Sequence, residues 1–198
     1  MLGFPKAFDG MRVGLLGGSF DPPHAGHVHI TRQALRRFGL DRVWWLVSPG
    51  NPLKVTGPAS IDRRMVACRK IMQHPKVEVT DIEARLGTRF TADTIDRLSQ
   101  IYSTVNFVWL MGADNLVDFH KWARWEAIVR KVPIGVTSRP GEHLNAGASR
   151  AAVKYAFARL PAASARALPM QAPPAWCLLD GPVFDISSTQ IRADGTWK

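Results

Sequence analysis

Short apolar runs recur along the chain, and each stops at glycine, serine or another turn former. Met11–Leu16 (MRVGLL), Arg42–Val47 (RVWWLV) and Thr104–Met111 (TVNFVWLM) read as buried strands, because runs of that length between turn formers suit a strand. Lys76–Thr80 alternates, and Val132–Thr137, Trp176–Leu179 and Val183–Asp185 are further strands. Between them the apolar spacing turns helical. Val28, Ile30, Ala34, Leu35 and Phe38 fall on one helix from His27 to Phe38, which Gly39 stops. Ser60 or Asp62 caps a second helix through about Met72, and Thr91–Tyr102 carries Ile95 and Leu98 inward. Trp122–Arg130 and Ala148–Leu160 are also helical, Pro161–Pro174 is an exposed connection, and Ser187 starts a last helix.

Strands alternating with helices predict an α/β fold, a Rossmann-like doubly wound parallel sheet covered on both faces. The 198 residues form one domain, residues 1–10 being an N-terminal extension, with no internal repeat. Ligands bind such sheets at the carboxyl ends of the strands. That points to three loops: Gly17–His27, Ser48–Lys54 and Gly112–Asn115.

Composition narrows the partners. No apolar run approaches the ~20 residues of a membrane helix, and the N-terminus has no secretory core, so a cytoplasmic protein is expected. Cys68 and Cys177 lack metal-ligand spacing and read as free buried thiols. The net charge of +10 favours polyanionic partners, among them phosphorylated small molecules. Arg150, Lys154 and Arg159, at spacings of four and five, suit a solvated helix face better than a nucleic-acid patch.

The loop GGSFDPPHAGH carries the clearest chemistry. Gly17 and Gly18 let backbone approach a ligand. His24 and His27 fall at a helix start, where free amides and the helix dipole favour an anion. Helical spacing turns His29 away from His27, and no cysteine or carboxylate cluster completes a metal set. The loop is neither G-x-G-x-x-G nor a Walker loop. Near the other end stands ISSTQIR: Ser187 or Ser188 can cap a helix, and Arg192 follows Ser188 by four. Taken alone, Asp114 suits a turn cap, Trp122 and Trp125 suit helix core, and Trp44, Trp45 and Trp109 suit strand core.

Together the two motifs resemble the signature of the nucleotidyltransferase superfamily with an H-x-G-H motif. Within it the chain resembles the bacterial nicotinate mononucleotide adenylyltransferases. SPGNPLK, RFTADT (Arg89–Thr94), GADN (Gly112–Asn115), FHKW ending at Trp122 and VTSRPG (Val136–Gly141) agree, so the likeness runs from about Val13 to Arg192. Ser19 stands where threonine is common, Pro23 replaces an aliphatic residue, and only six residues follow Arg192, which implies a short last helix.

The resemblance implies a nucleotidyltransferase-type sheet. It also implies transfer of AMP from ATP to nicotinate mononucleotide in NAD biosynthesis, giving nicotinate adenine dinucleotide and pyrophosphate. His24, His27, Arg192 and Lys54 would serve the reacting phosphates. Gly17, Gly18, Ser19, Phe20, Gly112, Asp114, Ile186, Ser187, Ser188 and Thr189 would bind ATP. Thr91, Ala92, Trp122 and Arg139 would bind the mononucleotide. Mg²⁺ would arrive with ATP, with no metal site built by the protein. The expected partners are these small molecules, not nucleic acid or membrane, and a homo-oligomer stays open. Nicotinamide mononucleotide or phosphopantetheine as acceptor remains an alternative, as does a non-catalytic basic nucleic-acid-binding protein.

Overall fold

The computed structural model describes residues 3–50, 57–138, 146–180 and 188–197. Seven parallel strands form one sheet in the order β3-β2-β1-β4-β5-β7-β6. They are β1 (Arg12–Gly18), β2 (Arg42–Val47), β3 (Val77–Thr80), β4 (Asn106–Gly112), β5 (Ile134–Ser138), β6 (Arg159–Leu160) and β7 (Trp176–Asp180). The apolar runs are unbroken because successive side chains serve opposite faces. Leu15, Trp44 and Trp109 enter one core layer, while Leu16, Trp45 and Leu110 enter the other. The three tryptophans are buried, as their strand positions imply.

The helices are α1 (Ala25–Arg37), α2 (Ile61–Ile71), α3 (Ile82–Leu86), α4 (Thr91–Ile101), α5 (Ala113–Asp118), α6 (Trp125–Lys131), α7 (Arg150–Lys154) and α8 (Ser188–Ala193). Ser60 caps α2, its Oγ accepting from the Arg63 N–H. Strand β1 lies between β2 and β4, so the winding direction reverses there. Such a reversal opens a crevice at the strand ends.

Several expectations change. Ala148–Leu160 is not one helix. It breaks after Lys154 because the Trp176 indole N–H takes the Tyr155 carbonyl (2.7 Å) and Arg159–Leu160 joins the sheet beside β7. Arg150, Lys154 and Arg159 therefore share no common face. Lys154 pairs with Glu126 at 2.5 Å, and the Arg159 guanidinium lies over Trp176. Pro161–Pro174 is largely exposed, as expected, but it is not an irregular connection. Residues Ala162–Met170 form a 3₁₀ helix whose Ala165 and Leu168 are buried, and a repeat of three keeps both on one face.

The segment ahead of β1 packs on the body of the protein, with Tyr102 Oη donating to the Pro5 carbonyl at 2.8 Å. Helix α6 begins only at Trp125, after a 3₁₀ turn at Phe119–Lys121 and a left-handed Arg124. GADN opens α5 rather than a loop, and α3 has no counterpart in the apolar pattern. The Val183–Asp185 strand lies outside the described residues. Among the described residues no helix is long and apolar enough to cross a membrane.

Candidate active site

A cleft of about 270 Å³ opens at the C-terminal ends of β1 and β4. Gly17, Gly18, Ser19, His24 and His27 form one wall, and Gly112–Asn115 with Trp122 form the other. Thr137 and Ser138 reach it from β5, and Ser188 reaches it from the far end of the chain.

His24 caps α1. The Gly26 N–H donates to His24 Nδ1 (3.2 Å), and the His24 N–H donates to His27 Nδ1 (3.2 Å). The pair forms a capping box made of two imidazoles, with ring centroids 3.9 Å apart. A main-chain N–H can only donate, so both Nδ1 atoms are acceptors. The neutral rings then carry their protons on Nε2. The backbone thus sets the tautomer of both rings, and both histidines line the cleft.

Helix α1 is anchored from below. The buried Trp45 indole N–H donates to Thr31 Oγ1 (2.7 Å), and that hydroxyl donates to the His27 carbonyl (2.8 Å). Phe20, in the left-handed region at φ 48°, is buried outside the cleft. It stacks on Trp45 (4.9 Å, 12°) and lies tilted beneath His27 (4.7 Å). Phe20 thus supports an imidazole rather than lining the site. Gly17 admits an indole as much as a ligand, since a Cβ there would stand 2.5 Å from the Trp109 ring.

Arg64 was not singled out by its sequence context, yet it ties this wall together. It is buried on α2, with Nε donating to the Ala59 carbonyl (2.6 Å) and Nη1 to the carbonyls of Ser19 (2.7 Å) and Ser48 (2.8 Å). Burial lowers its pKa from that of a free arginine, and the charge of Asp21 opposes the shift. One guanidinium thereby clamps the loops leaving β1 and β2.

The two motifs do meet across the length of the chain. Ser188 Oγ donates to the Pro22 carbonyl (2.8 Å), and the Arg192 guanidinium donates to the Asp21 carbonyl. Arg192 is nonetheless exposed, bonded also to Thr189 Oγ1 (3.2 Å), and neither residue is among those lining the cleft. Lys54, Arg139, Ile186 and Ser187 lie outside the described residues.

On the opposite wall Asp114 is exposed in the first turn of α5, which has no side-chain cap. A Cβ at Gly112 would sit 2.3 Å from its Oδ1, so glycine there lets the carboxylate fold back. Trp122 is half-buried. It meets Phe119 edge-on (5.3 Å, 80°) and Trp109 edge-on (6.2 Å, 83°), and it borders the cleft. Thr91 and Ala92 start α4, with Ala92 buried in the core, and neither borders the cleft.

His29 does border it, because the cleft runs past the first turn of α1 instead of ending at His27. Burial, aided by Arg36, lowers its pKa. Among the described residues no group of three or more His, Cys, Asp or Glu side chains could hold a metal. Cys68 and Cys177 are free, and burial pushes their thiols up to about 12 and about 11.

A family model described as cytidylyltransferase-like matches residues 15–194. A Ruegeria pomeroyi protein named a probable nicotinate-nucleotide adenylyltransferase is 59% identical over 195 residues, 98% of this chain and 92% of its own. A Cereibacter sphaeroides protein of the same name is 61% identical over 188 residues, 95% of this chain and 100% of its own. The solved Plasmodium falciparum nicotinic acid mononucleotide adenylyltransferase complexed with NaAD shares the fold, with a TM-score of 0.71 at 16% identity. The likeness covers 92% of this chain and 83% of that one. The chain belongs to the cytidylyltransferase-like family, among its nicotinate-nucleotide adenylyltransferases.

Proposed function

We propose that the protein transfers AMP from ATP to nicotinate mononucleotide, forming nicotinate adenine dinucleotide and releasing pyrophosphate. The observation that carries this reading is the pairing of two walls in one cleft. One presents two imidazoles whose tautomer the backbone sets, and the other presents the half-buried indole of Trp122.

The reaction needs no protein nucleophile. A phosphate oxygen of the mononucleotide forms a bond to the α-phosphorus of ATP. The bond from that phosphorus to the bridging oxygen breaks, and pyrophosphate departs with the electron pair. Catalysis then consists of alignment and of donors aimed where charge moves. His24 and His27 supply such donors through Nε2. The first turn of α1 adds main-chain amides and the positive end of its dipole. Asp114 accepts from a ribose hydroxyl, and Trp122 stacks on the pyridine ring.

Mg²⁺ fits this donor set as part of the substrate. Asp21 Oδ1 accepts from the Ala59 N–H and the Trp197 indole, and among the described residues Asp114 is the carboxylate that borders the cleft. One carboxylate beside substrate phosphates suits Mg²⁺, and the ion would neutralise phosphate charge there. Arg192, Thr91 and Ala92 are not cleft residues, so their part in substrate binding requires the ligands themselves to extend beyond it.

The test is pyrophosphate release with ATP and Mg²⁺, comparing nicotinate mononucleotide, nicotinamide mononucleotide and phosphopantetheine. Nicotinate mononucleotide should give the highest kcat/KM. A higher value for either other acceptor would overturn the acceptor assignment, and no release with any would overturn the activity.

A further inference from the structure

The loop from Ser19 to His24 carries the first imidazole at its end. Besides the Arg64 clamp on Ser19, much of its support comes from residues 188–197. Asp21 is the anchor. It is 8% exposed, and its Oδ1 accepts from the Ala59 N–H (3.3 Å) and from the Trp197 indole N–H (2.7 Å). The Arg63 guanidinium stands 4.2 Å from the Trp197 ring centroid, a cation–π distance. The ring also shares a groove with Pro22 and Pro23. With Ser188 on Pro22 and Arg192 on Asp21, these contacts make residues 188–197 a strap along the loop.

We propose that Trp197 is a positioning residue for ATP. It fastens this strap to Asp21, and the strap holds the Ser19–His24 loop in the shape that presents His24 to the phosphates. The inference rests on the proposed reading of the cleft as an ATP site. Trp197 touches no substrate in this account. Its effect passes through Asp21, and the acceptor wall around Trp122 has no bond to the strap among the described residues.

The experiment measures ATP binding by calorimetry without acceptor, and initial rates with both substrates varied, in the full-length protein. Trp197→Phe keeps a ring over Arg63 and loses the N–H, while Trp197→Ala loses both. Trp197→Phe should weaken ATP roughly tenfold, the scale of one hydrogen bond to a carboxylate, and Trp197→Ala should weaken it further. The KM for the mononucleotide should stay within about twofold of wild type. Asp21→Asn combined with Trp197→Phe should lose little beyond Trp197→Phe, because both act on one bond.

ATP affinity within twofold of wild type in both variants would overturn the proposal. So would equal weakening of both substrates with a lowered melting temperature, since that marks a general loss of structure. If wild-type protein binds no ATP, the proposed function fails and this inference fails with it. If wild type binds ATP and the variants match it, only the inference fails.

Discussion

The two walls of the cleft are built from different forces. On the β1 side the side chains are held by directed bonds to the main chain. His24 and His27 accept from backbone amides, Arg64 donates to three carbonyls, and Trp45 reaches the His27 carbonyl through Thr31. On the β4 side the holding is aromatic. Trp122 meets Phe119 and Trp109 edge-on, and Phe119 continues to Trp125 and Tyr155. Directed bonds fix where a donor sits to a fraction of an ångström, which transition-state charge requires. Edge-on packing fixes a flat surface, which suffices for a flat ring. Damage to the first wall should therefore appear in turnover, and damage to the second in acceptor affinity.

The sharpest way to break this contrast is His27→Ala. It removes an Nε2–H donor and leaves the His24 N–H without its acceptor. Turnover should fall by ~10²–10³, the scale of losing one transition-state donor, while the acceptor KM moves much less. Steady-state kinetics with pyrophosphate detection decides it. Near-normal turnover in the variant would remove His27 from the mechanism.

Much of the β1 wall was legible in sequence because its signals are local. Two glycines end a buried run, and the histidines at 24 and 27 share one helical turn. Most of the strands followed from apolar runs that serve both faces of the sheet, but their lateral order did not, and β6 was read as part of a helix. What stayed hidden depends on partners far along the chain. Arg64 looks like one more charge among Asp62, Arg63 and Arg69, and only folding brings it to Ser19, 45 residues away. Trp197 meets Asp21 across 176 residues. The early end of α7 likewise depends on Trp176, 21 residues on from the carbonyl it takes. Spacing alone suited Arg192 to a helix surface and the resemblance gave it the phosphates; its bond to the Asp21 carbonyl, 171 residues away, could not be read from either.

Away from both walls, where α3 packs against β2 and α4, a buried acid offers a third kind of holding. Glu83 on α3 is 7% exposed, and its Oε1 accepts from Thr94 Oγ1 (3.2 Å), which in turn pairs with Thr88 Oγ1 (2.8 Å). Burial raises its pKa to about 7 from an ordinary 4.5, and the Thr94 bond pulls weakly the other way. Between those values the folded chain keeps a proton that the unfolded chain has released. Stability from this group is therefore full below about pH 4.5 and falls as pH rises toward 7, by at most about 3 kcal/mol. Glu83→Gln keeps an acceptor for Thr94 and cannot ionise. Melting temperatures from pH 4.5 to 8 should show the variant gaining on wild type as pH rises. Parallel profiles would mean that Glu83 is ordinary in the folded chain.

The smallest effect tests the aromatic wall itself. Stacking of a flat ring on an aromatic side chain is worth ~1–3 kcal/mol by alanine substitution. Trp122→Ala should accordingly raise the acceptor KM roughly tenfold and leave ATP within about twofold. The substitution also removes an edge partner of Phe119 and Trp109, so some stability is lost with it. Trp122→Phe separates these consequences. A phenyl ring keeps a flat surface and much of the edge contact, so acceptor KM should return most of the way. If Trp122→Ala weakens ATP and acceptor equally, the indole is holding the cleft open for both rather than seating one ring. The two walls would then not divide the labour between turnover and acceptor affinity.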